Sequence, residues 1–110
     1  MAVAREWRAG ATPERATEYE IYFREVMLPR LSAVPGWQSG RLLQRRLGDE
    51  VEIVVINVFD SIEAIRAFAG ADPEAAVIPT EITGMLTRYD ERCALYEVTL
   101  DANTGQPPPA

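Results

Sequence analysis

Phe59-Asp60-Ser61-Ile62-Glu63-Ala64-Ile65-Arg66-Ala67-Phe68-Ala69-Gly70 ends one element and begins another with hardly a residue between them. Before it runs Val51-Glu52-Ile53-Val54-Val55-Ile56-Asn57-Val58-Phe59, apolar and β-branched enough to read as a strand. After it, Ile62, Ile65, Ala69 and, on the flank, Phe68 recur at helical spacing and predict a buried stripe. Asp60 or Ser61 can cap that helix by accepting an early backbone N–H, with Glu63 answering an Asp60 cap, and Gly70 supplies a left-handed stop. A strand–helix joint this tight predicts a sheet with helices stacked on it.

Upstream, Val3, Arg5 and Trp7 alternate with Ala4, Glu6 and Arg8, predicting a strand over 2–9 that Gly10-Ala11 breaks. Thr12 as cap and Pro13 at the first helical position open a helix to about 33. Its apolar face holds Tyr19, Tyr22, Phe23, Val26, Met27, Leu31 and Val34, and Pro29 should kink its last turns. Val34-Pro35-Gly36 reads as a turn, and Trp37 to Leu47 as a strand joined through Gly48-Asp49 to the next in a hairpin. Downstream, Asp72-Pro73 predicts a short helical turn over 74–77, Pro79-Thr80 another short piece through Met85, and 92–100 a last strand. Residues 1–100 form one domain in this reading. Residues 101–110, with three prolines at 107–109, lack core-forming side chains and are expected to be a disordered tail.

The order strand, helix, strand, strand, helix, strand predicts an α+β fold, the ferredoxin-like βαββαβ. It places a four-stranded antiparallel sheet under helices on one face. The strand 51–59 does not alternate. Val51, Ile53, Val55 and Phe59 fill one side and Val54, Ile56 and Val58 the other, so both faces call for burial while the helices cover one. The second face is expected to meet a second copy of the chain, giving a homodimer through the sheet face.

Composition removes several function classes. The 110 residues suffice for one core, and a net charge of −6 disfavours nucleic acid. Arg41, Arg45 and Arg46 on one strand read as a solvated face or as partners of acids. No apolar stretch is long enough to span a bilayer, and the N-terminus shows no export signal, so a cytoplasmic location is expected. There is no histidine and one cysteine, Cys93. That excludes an intrachain disulfide, the usual zinc and non-haem iron ligand sets, histidine-ligated haem and any nucleophile that relies on a histidine base. Cys93 reads as a small core residue.

Arg5-Glu6-Trp7-Arg8, Val34-Pro35-Gly36, Phe59 to Gly70, Leu86-Thr87-Arg88-Tyr89-Asp90 and Tyr96-Glu97-Val98 together resemble the antibiotic biosynthesis monooxygenase-like proteins. These are small members of the dimeric α+β barrel superfamily. The resemblance spans residues 2–98 and implies the same fold and dimer. For function it implies small-molecule work: oxygenation of anthrone-like or quinol-like aromatics without a cofactor, haem degradation, or isomerisation and cyclisation. The chain departs from the pattern at Phe59, where relatives usually carry tryptophan, and at Leu95, where they carry histidine. The haem-degrading branch is disfavoured by that loss.

Cofactor-free oxygenation needs a proton removed from the substrate, an oxyanion held, and oxygen kept in a dry pocket. Asn57, the one polar side chain in an aliphatic run, is the candidate to hold a ketone or enolate oxygen; the plainer reading is a structural hydrogen bond. Arg66 could clamp an anion at a pocket mouth or pair with Asp60 or Glu63. Tyr22 is the candidate phenolic acid or base, with Tyr19 and Tyr96 as alternatives, although tyrosines at helical spacing also suit a core. Trp37, Tyr19, Phe23, Phe59 and Tyr96 are the candidate walls for an apolar or aromatic ligand. Arg5 shares a face with Val3 and Trp7 and is expected to bridge subunits, with Asp90 or Glu97 as partner. The reading that competes with an enzyme is a non-catalytic dimer that binds a metabolite or only assembles.

Overall fold

The computed structural model describes residues 1–102. The tail expected over 101–110 falls almost wholly outside that range.

Strand β1 (Val3–Ala11) is followed by helix α1 (Pro13–Tyr22), a wider π turn (Phe23–Met27) and α2 (Leu28–Ser32) in one continuous rod. Strands β2 (Trp37–Leu47) and β3 (Glu50–Phe59) form the hairpin, and α3 (Ile62–Ala69) follows β3 directly. A long connection carries the one-turn α4 (Thr80–Thr83) to the short strands β4 (Arg88–Tyr89) and β5 (Ala94–Glu97). All pairings are antiparallel: β2 pairs β3, β3 pairs β1, and β1 takes β4 and β5 along its other edge. This is the ferredoxin-like order, with the last strand in two pieces.

Thr12 caps α1 through its hydroxyl, which accepts the Arg15 N–H at 3.3 Å. Ala16, Tyr19, Phe23, Met27 and Leu31 form the buried stripe of the rod. The last three spacings are all four residues, and in a pure α-helix each such step drifts about 40° around the axis. The π turn, in which Leu28 N–H bonds Phe23 O, widens the helix and holds the four side chains to one face. It also ends where Pro29, with no N–H to donate, would have disturbed an α-helix, so the expected kink is taken up as a wide turn.

At the joint Ser61 is the cap, accepting the Ala64 N–H at 3.1 Å, and Gly70 stops α3 with φ +95°. Ile65 is buried as expected, whereas Ile62 is more exposed than expected and Ala64 joins the buried stripe in its place. Gly36, also at φ +95°, lies just before β2. A Cβ there would sit 2.5 Å from Asp60 Oδ1 and 2.9 Å from Ala64 Cβ, so only glycine allows the β2 entry to pass under α3.

Three other expectations change. β1 continues through Gly10 and Ala11, which pair with Glu52 and Val51; Gly10 extends the strand because its bare Cα admits the Glu50 carboxyl. Residues 74–77 form no helical turn. Ala75 bridges Arg92, and Cys93 N–H bonds Glu74 O at 2.7 Å. That cross-link holds 91–93 off β1, so the strand expected over 92–100 shrinks to Ala94–Glu97, with Arg88–Tyr89 a separate short piece ahead of it.

One face of the sheet carries Val3, Arg5, Trp7, Ala9, Val51, Ile53, Val55, Asn57 and Phe59, all buried beneath the helices. On the other face Ala4, Val58 and Tyr96 share one row and Glu6, Ile56 and Ala94 the next. Val54, Ile56 and Val58 are half-buried there, and Leu43 and Tyr96 are exposed. No helix among the described residues is long and apolar enough to cross a membrane.

Candidate functional site

Between the covered sheet face and the helices lies a small, partly open cavity of about 30 Å³. β1 contributes Arg5 and Trp7, β3 Val55 and Asn57, the rod Tyr19 and Phe23, α3 Phe68. Val77 and Ile82 line it from the long connection. Trp7, Tyr19 and Phe23 form a tilted aromatic row, with centroids 5.9 and 6.4 Å apart. The walls are thus flat and apolar, suited to a planar guest. The free room holds little more than ordered water, so a larger guest must part the walls.

Arg5 and Asn57 are the two buried polar side chains among the described residues, and they stand directly opposite each other on β1 and β3. Cross-strand partners place their Cβ atoms roughly 4.5–5.5 Å apart. The Asn57 Oδ1 accepts the Trp37 indole N–H at 3.0 Å. Indole nitrogen can only donate, so the oxygen of the amide is committed to Trp37 and its N–H₂ is the end left over. The plainer reading of Asn57, a structural bond, therefore accounts for half of the group.

Arg5 donates from Nε to Pro73 O at 3.3 Å and from Nη2 to Ala75 O, and its guanidinium lies 5.6 Å from the centre of the Phe68 ring. It makes no ion pair among the described residues. Burial lowers its pKa, and the nearby Cys93 opposes that shift. The expected bridge to another subunit through Asp90 or Glu97 is replaced by these carbonyls, because Arg5 is on the helix-covered face. Trp7, its neighbour on that face, holds the Asp90 backbone by an Nε1–H bond of 2.7 Å to the carbonyl.

Tyr19 is nearly inaccessible, and its pKa is raised, chiefly by burial and then by Tyr22. It is a phenol that stays protonated. Cys93 is buried, as expected of a small core residue, and burial raises its pKa.

The structure gathers Asn57, Tyr19 and Phe23 around this one pocket and places the other expected site residues elsewhere. Trp37 is a layer behind, holding Asn57. Phe59 is wholly buried against Phe68, at 6.4 Å between centroids, because residue 59 ends β3 beneath α3. Tyr22 faces away from the pocket and donates to Glu81 at 2.9 Å, a bond that ties α1 to α4. Its pKa is raised by partial burial and then by Glu81. Arg66 bonds Ala71 O and Glu63 on the outside of α3. With Tyr96 it edges a separate open groove beside Met1, Ile62 and Leu95. Arg5, expected between subunits, lines the pocket instead. Its signal was present in the alternation with Val3 and Trp7, which puts a charge on the apolar face of β1.

No family model matches the chain, and no curated protein matches it in sequence. Solved structures do match over nearly its whole length. SnoaB, a cofactor-independent oxygenase from Streptomyces nogalater, is 19% identical with TM-score 0.63, over 96% of this chain and 98% of that one. The haem-degrader MhuD from Mycobacterium tuberculosis is 23% identical with TM-score 0.60, over 91% and 99%. A monooxygenase of Streptomyces coelicolor, solved with nanaomycin D, is 18% identical with TM-score 0.59, over 86% and 84%. The chain has the antibiotic biosynthesis monooxygenase-like fold. At these identities the likeness extends to architecture, and proteins that share an architecture differ in chemistry.

Proposed function

We propose that this chain is a small-molecule oxygenase of the antibiotic biosynthesis monooxygenase-like fold, taking a planar aromatic or polyketide-like compound without a bound cofactor. The observation that carries this reading is the Asn57 N–H₂, held by Trp37, beside an aromatic-walled pocket. For an anthrone-type methylene the reaction balances as R₂CH₂ + O₂ → R₂C=O + H₂O. The substrate carbon is oxidised by dioxygen, one oxygen atom enters the new carbonyl and the other leaves as water. The enolate of the substrate is itself the reductant. Asn57 would hold the enolate oxygen by its N–H₂ while Trp7, Tyr19 and Phe23 keep water out.

Haem, which the neighbour MhuD degrades, does not fit these residues. The chain has no histidine to ligate iron, and the one phenol in the pocket, Tyr19, is held protonated by burial.

The test is a thermal-shift screen with anthrones, quinols, flavonoid-like phenols and apolar ketones, followed by oxygen uptake with any class that binds. A ligand at a hundred times its dissociation constant adds about 2.7 kcal/mol, several degrees for a domain of this size. Uptake that Asn57→Ala abolishes supports the oxygenase. Binding without uptake favours the second reading, a non-catalytic ligand-binding dimer, which draws support from the lack of any carboxylate or histidine base among the residues lining the pocket.

We also infer a cytoplasmic homodimer closed through the open sheet face, where Val54, Ile56 and Val58 form an apolar stripe with Leu43 and Tyr96. Light scattering at micromolar concentration should give twice the chain mass for wild type and the single mass for Ile56→Asp. A monomeric wild type refutes the dimer.

A further inference from the structure

We propose that the pocket takes its ligand as a preformed anion, a planar compound bearing a carboxylate or an acidic enol or phenol, and that Arg5 is the group that selects it. This deepens the oxygenase reading and rests on the same pocket.

The polar groups at this pocket are donors without a matching acceptor. Arg5 uses Nε and Nη2 on the Pro73 and Ala75 carbonyls, and Nη1 has no partner among the described residues. Neither does the Asn57 N–H₂, nor the Tyr19 hydroxyl. No fully buried side-chain nitrogen or oxygen among the described residues lacks a partner. These three groups therefore keep contact with open space, and the open space their residues line is the pocket. An occupant that satisfies them must bring acceptors.

Charge points the same way. Arg5 is a buried cation with no carboxylate beside it, in a chain whose net charge is −6. Its neighbours from each packed element are neutral: Asn57 on β3, Phe68 on α3, the Pro73 and Ala75 carbonyls, Leu95 on β5, and the Cys93 thiol, whose pKa burial raises. Leaving a buried charge unpaired is costly, and an anionic oxygen at Nη1 removes that cost. The pocket meanwhile offers no group to strip a proton from a neutral guest. Aspartate, glutamate and histidine are absent from its walls, and Tyr19 resists ionisation. A ligand ionised in water before it enters needs no such group.

The probes are 2-hydroxy-1,4-naphthoquinone, whose enol is ionised at neutral pH, and its methyl ether, of the same outline and uncharged. Titration calorimetry on the full chain at pH 7.5 should give the anion at least tenfold tighter binding than the ether. Arg5→Gln should abolish that preference, whereas Arg66→Gln should leave it intact. If Arg5→Gln does not fold, guanidinium NMR of wild type decides: the buried arginine signal should move with the anion and stay with the ether. Equal affinities, a preference that survives Arg5→Gln, or a guanidinium signal unmoved by the anion overturns the proposal. Binding of the ether alone overturns it while leaving the pocket in place; binding of neither removes the pocket reading as well.

Discussion

Trp37 donates its indole N–H to Asn57 Oδ1 across 3.0 Å, and this bond settles which end of the amide is left for a ligand. Trp37 enters β2 at the turn after α2, twenty residues before Asn57; the hairpin pairs Trp37 with Phe59 and Gly40 with Asn57 across a bulge, and the bare Gly40 lets the indole reach the amide diagonally. Trp37→Phe keeps most of the ring and removes the donor. We expect a loss of about 1–2 kcal/mol in urea denaturation, from one hydrogen bond and a poorly solvated Oδ1. Ligand affinity should fall too, because the amide is then free to rotate. A variant with wild-type stability and wild-type affinity refutes the positioning role.

Gly36→Ala should destabilise more than any exposed substitution. Its φ of +95° strains an L residue, and the new Cβ meets Asp60 and Ala64 at 2.5 and 2.9 Å. The expected loss is about 1–3 kcal/mol, read as a lower Tm.

Tyr19→Phe tests the buried phenol. The hydroxyl has no protein partner among the described residues, so the change at neutral pH should stay under about 1 kcal/mol. On the alkaline side the two proteins should part. Burial raises the Tyr19 pKa in the folded state, so its contribution is full below the ordinary value of 10 and is lost as pH rises past it, while the unfolded chain ionises. Tyr19→Phe should resist alkaline unfolding better than wild type. Identical alkaline midpoints refute this.

Acid should weaken the fold through surface carboxylates. Thr87 and Arg88 hold the Glu50 pKa down, Arg45 that of Glu52, and Arg92 that of Asp72. A depressed folded pKa gives stability that is present above the unfolded value and lost as pH falls toward the folded one. Tm should therefore decline as pH drops below about 4.5, and Glu50→Gln should flatten part of that decline. An equal slope in the variant rules out Glu50 as a contributor.

Much of the architecture was legible in the chain because it rests on local signals. Thr12-Pro13, Ser61 and Gly70 announce helix ends through backbone groups within a few residues. Gly48-Asp49 announces the hairpin, and the apolar residues on both sides of β3 announce a sheet with two demanding faces. Asn57 stood out because one amide among aliphatics needs a partner wherever the strand lies.

What local signals could not convey was which distant groups meet. Arg5 and Asn57 are neighbours only through the register of β1 on β3. The carbonyls that receive Arg5 come from Pro73 and Ala75, nearly seventy residues on, in a connection with no periodicity to read. Tyr22 and Tyr19 look alike on a helical wheel, yet one is turned to Glu81 at the surface and the other is buried beside Trp7 at the pocket. Spacing along the chain sets which side chains share a face. Packing of one face against another sets which of them surround a cavity, what charge they leave uncompensated there, and so what the pocket can hold.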